Sequence, residues 1–202
     1  MSGPIGIIIA TTMEAKPFIE GLGLSLIEKK PAPIYGAGPV VLAVSGIGKT
    51  CAAIAATDLI DRYHLRKILN LGAAGSTGGK YRVGDILHVD AVYELDRPIN
   101  DSGSPAEHRA DTLEGFAVAS LATQDRPVLT DEDRAAAGKY ADLVDMEGAA
   151  VVQACRALDA SVHLYKIVTD TPGCSVRSII KNIMHTRDSL FEFCRDRVMP
   201  LL

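Results

Sequence analysis

The chain has no tryptophan and only four phenylalanines, and its four cysteines, Cys51, Cys155, Cys174 and Cys194, stand far apart. Such spacing holds no paired-thiol motif, which excludes a zinc ribbon and a disulfide framework. Free thiols in a reducing compartment are expected, and with them a cytoplasmic location. The five histidines, His64, His88, His108, His163 and His185, show no ligand spacing, so no metal is expected. No apolar run is long enough to span a membrane. Residues 5–10 are apolar, but they begin too early and lack a basic flank, so no signal peptide is expected. Positive charge is scarce too: 21 lysines and arginines against 25 acids leave a formal net charge of -4, which argues against a nucleic-acid surface.

What is present suits one globular domain over residues 1–202, with 48% hydrophobic and 23% charged residues. Residues 5–10 form a continuous apolar run, the pattern of a strand buried on both faces. Further strands are expected over residues 24–28, 40–44, 67–71, 85–93, 116–123, at Leu143 and Val144, and over 161–169. Helices are expected to about Gly21, over 51–63, over 130–139 with Thr130 as N-cap, over 146–158, and over 175–198 with Ser175 as a possible cap. Residues 95–112, which include Pro98, Gly103 and Pro105, read as a loop. Strands alternating with helices predict an α/β fold, a mixed and mostly parallel central sheet flanked by helices.

Two glycine-containing segments follow apolar runs. Gly46-Ile47-Gly48-Lys49-Thr50 resembles the end of a phosphate-binding loop, but the earlier glycine that motif needs is Ala43 here. That excludes a nucleoside-triphosphate loop and leaves a tight turn opening a helix. Gly72-Ala73-Ala74-Gly75 reads as a small-residue turn after a strand, where a ligand could approach the backbone closely. Acids also sit just past apolar runs: Glu14, Asp145 and Glu147, and Asp170. For any one of them the ordinary reading is a helix-start acid favoured by the helix dipole. As a set, Glu14, Glu147 and Asp170 can converge, because ligand sites of α/β sheets collect beyond the carboxyl ends of strands. Converging carboxylates push one another's proton affinities apart, and so provide both an acid and a base.

These segments, together with Val83-Gly84-Asp85, Val144-Asp145-Met146-Glu147 and Thr169-Asp170, resemble the purine nucleoside phosphorylase and nucleosidase superfamily in order and spacing. Within it the chain is most similar to the methylthioadenosine/S-adenosylhomocysteine nucleosidases and their relative futalosine hydrolase. The resemblance implies hydrolysis of the N-glycosidic bond of a purine-type nucleoside, with no cofactor. It implies that Asp170 protonates the leaving base and that Glu14 activates the attacking water. Glu147 then binds the ribose hydroxyls, Met146 packs against the sugar, and Ile47, Ala73, Ala74 and Gly75 wall the site. Lys166 stands for an arginine near the sugar, without its two-pronged fork. Asn70 and Leu71 precede Gly72 where phosphorylases place a phosphate clamp, which favours water as nucleophile. A phosphate-dependent phosphorylase and a non-catalytic nucleoside-binding protein remain as alternatives. The expected partner is a small nucleoside, with neither nucleic acid nor membrane, in a homodimer or larger homo-oligomer.

Overall fold

Four isoleucines and Gly6, over Ile5–Ile9, form strand β1 at the middle of the sheet, and all five residues are buried. Fully burying side chains such as Ile7, Ile8 and Ile9 contributes about 1.5–3 kcal/mol each. The computed structural model describes residues 3–97 and 103–202. After β1, helix α1 (Thr12–Gly21) leads to β2 (Ser25–Glu28), β3 (Ile34–Ala37) and β4 (Val40–Val44). Then come α2 (Lys49–Arg62), β5 (Lys67–Ser76), β6 (Ile86–Glu94), β7 (Ala106–Arg109) and β8 (Val118–Thr123). The chain continues through α3 (Asp131–Ala137), β9 (Leu143–Asp145), α4 (Gly148–Ala157), β10 (Ser161–Asp170) and α5 (Val176–Phe193). A wider helical turn over Cys194–Val198 follows α5, so the long helix expected over 175–198 changes its winding near its end.

Among the described residues the strands form one mixed sheet in the order β10-β6-β8-β9-β5-β1-β4-β3-β2, with β7 on β6. Strand β10 also pairs with β5, so β10, β6, β8, β9 and β5 close on themselves. Parallel ladders join β1 to β4 and β5, β5 to β10, β6 to β8, and β8 to β9. One core lies under α2 and α4, where Ala52, Ala55, Ala56, Val151 and Val152 let the helices come close. The other lies under α1 and α5, around Phe18, Leu190 and Phe191.

Two expectations change. The segment 72–75 is not a turn: β5 runs through it to Ser76. Tertiary pairing overrides the weak strand preference of its glycines, since Gly72, Ala73, Ala74 and Gly75 face Lys166, Ile167, Val168 and Asp170 across a parallel ladder. The segment 95–112 is not all loop either. Ala106–Arg109 form β7, antiparallel to β6, while residues 98–102 lie outside the described residues.

Candidate active site

Three connections bring acids to one end of the sheet. Thr11 caps α1: its Oγ1 accepts from the Glu14 backbone N–H at 3.3 Å and donates to Glu14 Oε2 at 2.5 Å. Glu14 Oε1 accepts from the Ala73 backbone N–H at 2.9 Å. Both oxygens of this buried carboxylate are therefore oriented, one by its own helix and one by β5. The helix-start reading of Glu14 is right about the cap and incomplete about the rest of the contacts.

The motif around Met146 divides its two acids. Asp145 Oδ2 accepts from the Gly148 backbone N–H at 2.9 Å and so caps α4. Its Oδ1 accepts from Thr123 Oγ1 at 2.6 Å, and Lys166 Nζ lies 2.8 Å from Oδ2. Glu147 occupies the N-cap position of α4 yet makes no side-chain cap there. It reaches instead to the glycine turn before α2, where Oε1 accepts from the Gly48 backbone N–H at 2.9 Å. Both acids line the cavity, but Asp145 is tied to the cap of α4, and Glu147 is left free of that cap. Burial pushes the Glu147 carboxyl up to about 7, with repulsion from Asp145 adding to the rise.

Asp170 ends β10. Its Oδ1 accepts from Thr169 Oγ1 at 3.0 Å, and its Oδ2 is paired with Arg134 Nη2 of α3. Arg134 is only 1% exposed, and its Nη1 donates to the Ser76 carbonyl at 2.7 Å. Glycine at position 75 leaves room for this pair: a Cβ there would stand 2.7 Å from Asp170 Oδ2 and 2.9 Å from Arg134 Nη1. At position 72, where φ is +155°, a Cβ would stand 3.0 Å from Glu14 Oε1. The small residues of β5 therefore make space for the protein's own acids. Gly75→Ala is expected to lower any turnover at least tenfold, since displacing a reacting group by about 1 Å can cost up to 10²-fold. Gly78→Ala, with nothing within 4 Å of the added Cβ, should match the parent. Steady-state rates of the two variants check this.

Glu14, Glu147 and Asp170 line one cavity of about 200 Å³. Ile47, Ala73, Ala74, Gly75 and Met146 line it too. Lys166 does not: it is buried between Asp145 and Asn70 Oδ1, the latter 2.9 Å from Nζ. Its charge is used in holding the cap of α4, and this corrects its expected contact with the sugar. Sequence reasoning missed Thr11, Pro127, Val128, Leu129, Thr169, Ile179 and Ile183, which also line the cavity, and Arg134 behind Asp170. Thr11 had a legible signal, a threonine three residues before a glutamate at a helix start. Among the described residues no cluster of histidine, cysteine or acids is arranged to hold a metal ion.

An apolar-walled hollow with three oriented carboxylates, at the ends of strands in an α/β sheet, defines a protein that holds a small polar molecule and can exchange protons with it. Residues 4–126 match the family model of the phosphorylase superfamily, and the chain belongs to that family. It is 32% identical over 167 residues to the 5'-methylthioadenosine/S-adenosylhomocysteine nucleosidase of Bacillus subtilis, a match covering 69% of this chain and 71% of that protein. The protein of the same name from Colwellia psychrerythraea is 29% identical over 164 residues, covering 66% and 68%. Among solved structures, a putative nucleosidase of that class from Francisella philomiragia superposes with a TM-score of 0.88 at 23% identity, covering 98% of this chain and all of that one. A futalosine hydrolase mutant from Helicobacter pylori superposes at 0.87 with 18% identity, covering 96% and 97%. At those identities the two structures speak for the fold alone.

Proposed function

We propose that this chain is a nucleosidase that hydrolyses the N-glycosidic bond of a purine-type nucleoside. The observation that carries the reading is the convergence of Glu14, Glu147 and Asp170, from three distant elements, on one sugar-sized cavity. Kinship with nucleosidases supports it. In the reaction, water gives a proton to Glu14 as its oxygen bonds to the anomeric carbon. The bond to the base breaks, its electron pair leaves with the base, and the base takes a proton held by Asp170. Glu147 accepts hydrogen bonds from the ribose hydroxyls, and Met146 packs against the sugar. Ile47 and the Ala73, Ala74 and Gly75 segment of β5 form the walls. The transition state resembles an oxocarbenium ion, so carboxylates beside the sugar stabilise it.

Water is the nucleophile in this reading because, among the described residues, no lysine, arginine or histidine lines the cavity, and a phosphate dianion needs a cation there. The chain is further proposed to work in the cytoplasm as a homodimer. Its four cysteines are all free, which suits a reducing compartment. Val176, Ile180 and Met184 form an exposed apolar stripe on α5, which also carries the cavity residues Ile179 and Ile183. Light scattering of the purified protein tests the dimer. For the activity, methylthioadenosine, S-adenosylhomocysteine, futalosine and inosine are each assayed for release of free base with and without phosphate. Phosphate-independent release from at least one is expected. Release only with phosphate makes the protein a phosphorylase, and binding without release makes it a sensor.

A further inference from the structure

We propose that Arg134 is a positioning residue for the leaving-base acid, holding Asp170 by one oxygen and balancing the charge Asp170 acquires when it gives up its proton. The proposal rests on the nucleosidase reading and deepens it. Helix α3 begins Asp131-Glu132-Asp133-Arg134, and its three acids face outward while the arginine turns in. Buried arginines are costly unless every contact is made, and here two contacts are made with different groups. Nη1 is tied to the Ser76 carbonyl of β5, and Nη2 to Asp170 at the end of β10. Gly75 leaves the space through which the pair meets. Arg134 itself is not among the cavity-lining residues, so it acts through Asp170 and not on the ligand.

The charge pattern that results matches the proposed transition state. As the bond to the base breaks, positive charge grows on the sugar and negative charge on the base. Glu14 and Glu147 serve the sugar end. At the base end a third bare carboxylate would repel the departing electrons. With Arg134 clamped to Oδ2, the Asp170 carboxyl can pass its proton to the base and be left beside a fixed cation. The clamp also leaves Oδ1, which accepts from the neutral Thr169 hydroxyl, as the oxygen free of a cation among the described residues. Preorganised charge of this kind acts without reorganisation during the reaction.

The test is R134Q and R134K, assayed on 6-substituted purine nucleosides whose bases differ in acidity but not in shape. Without the balancing cation, proton delivery lags and more charge builds on the base. R134Q is therefore expected to lose at least tenfold in kcat with KM within about threefold of the parent, and to depend more steeply on base acidity. R134K, whose single ammonium cannot bridge both partners, is expected to fall between the two. A merely structural arginine changes stability and the amount of active enzyme but not that slope. If R134Q does not fold, the slope of R134K decides. An unchanged slope in a folded variant overturns the assignment. Failure of the wild type to release any base overturns the nucleosidase reading instead.

Discussion

Glu14→Gln is expected to lower base release by about 10²–10⁴-fold while leaving the fold intact, the range typical of a general base. The substitution is close to isosteric, and its hydrogen bonds can be rebuilt. The glutamine carbonyl can accept from the Ala73 N–H, where Glu14 Oε1 accepts at 2.9 Å. The amide can face Thr11 Oγ1, whose hydroxyl rotates from donor to acceptor. What is lost is the ability to take a proton from water. Melting curves are expected to stay within a few degrees of the parent, because no buried charge is left without a partner. A folded Glu14→Gln that keeps more than a third of the parental kcat would falsify the assignment of Glu14 as the base.

The more obvious variant, Asp170→Asn, is a poorer test for a structural reason. It would leave the Arg134 guanidinium, 1% exposed, facing a neutral amide. An amide can never become the anion that balances this guanidinium when Asp170 is ionised, and a buried cation left without its partner costs about 3–5 kcal/mol. Loss of activity in Asp170→Asn would then mix the missing proton with a damaged fold. R134Q/D170N removes both charges and serves as the stability control.

How much of this was legible in the sequence differs from element to element. Strands β1 and β4 and the caps Thr130 and Ser175 follow from local chemistry, so patterns of apolar runs and capping residues locate them. The three acids were legible because a parallel sheet places the ends of its strands together. Arg134 was not, because Asp131-Glu132-Asp133-Arg134 has the composition of a solvated helix face. Only the long-range partners Ser76 and Asp170 turn it inward. The extension of β5 through residues 72–75 likewise depends on the ladder with β10, about 95 residues away. Asp145 and Glu147 are two residues apart, and nothing local says which one caps α4. Thr123 and Lys166 settle it by engaging Asp145, and Gly48 by engaging Glu147.

That division has a consequence for stability. Glu147→Gln is expected to make the protein more stable at pH 8 by at most about 3 kcal/mol, and to weaken nucleoside binding at the same pH. The sign follows from the direction of the shift. Burial first, then Asp145, with Glu14 adding to the repulsion, raise the folded-state carboxyl from 4.5 to about 7 against the opposing pull of Lys166 and the Gly48 N–H. Between those values the folded protein binds more protons than the unfolded chain. Stability is therefore lost as pH rises from 4.5 through 7. His88 runs the other way. It stacks on Tyr165 at 4.2 Å with no partner for Nε2 among the described residues, and burial, helped by His163, lowers it from 6.5 to about 4. Its neutral form is favoured by folding, so its contribution is lost as pH falls from 6.5 through 4. In the parent this slope opposes that of Glu147, and His163, which burial also lowers, acts in the same direction as His88. Glu147→Gln removes only the Glu147 slope, so the urea midpoint of the variant should climb relative to that of the parent from pH 4.5 to 7. Binding moves the opposite way: a carboxylate–hydroxyl hydrogen bond is worth about 1.5–3 kcal/mol, or roughly 10–100-fold in affinity. The parent's advantage should therefore shrink as pH falls below 7 and Glu147 takes up its proton. A variant less stable than the parent at pH 8 would show that burial does not penalise this carboxylate, and one that binds nucleoside equally well there would show that it is not engaged with the sugar.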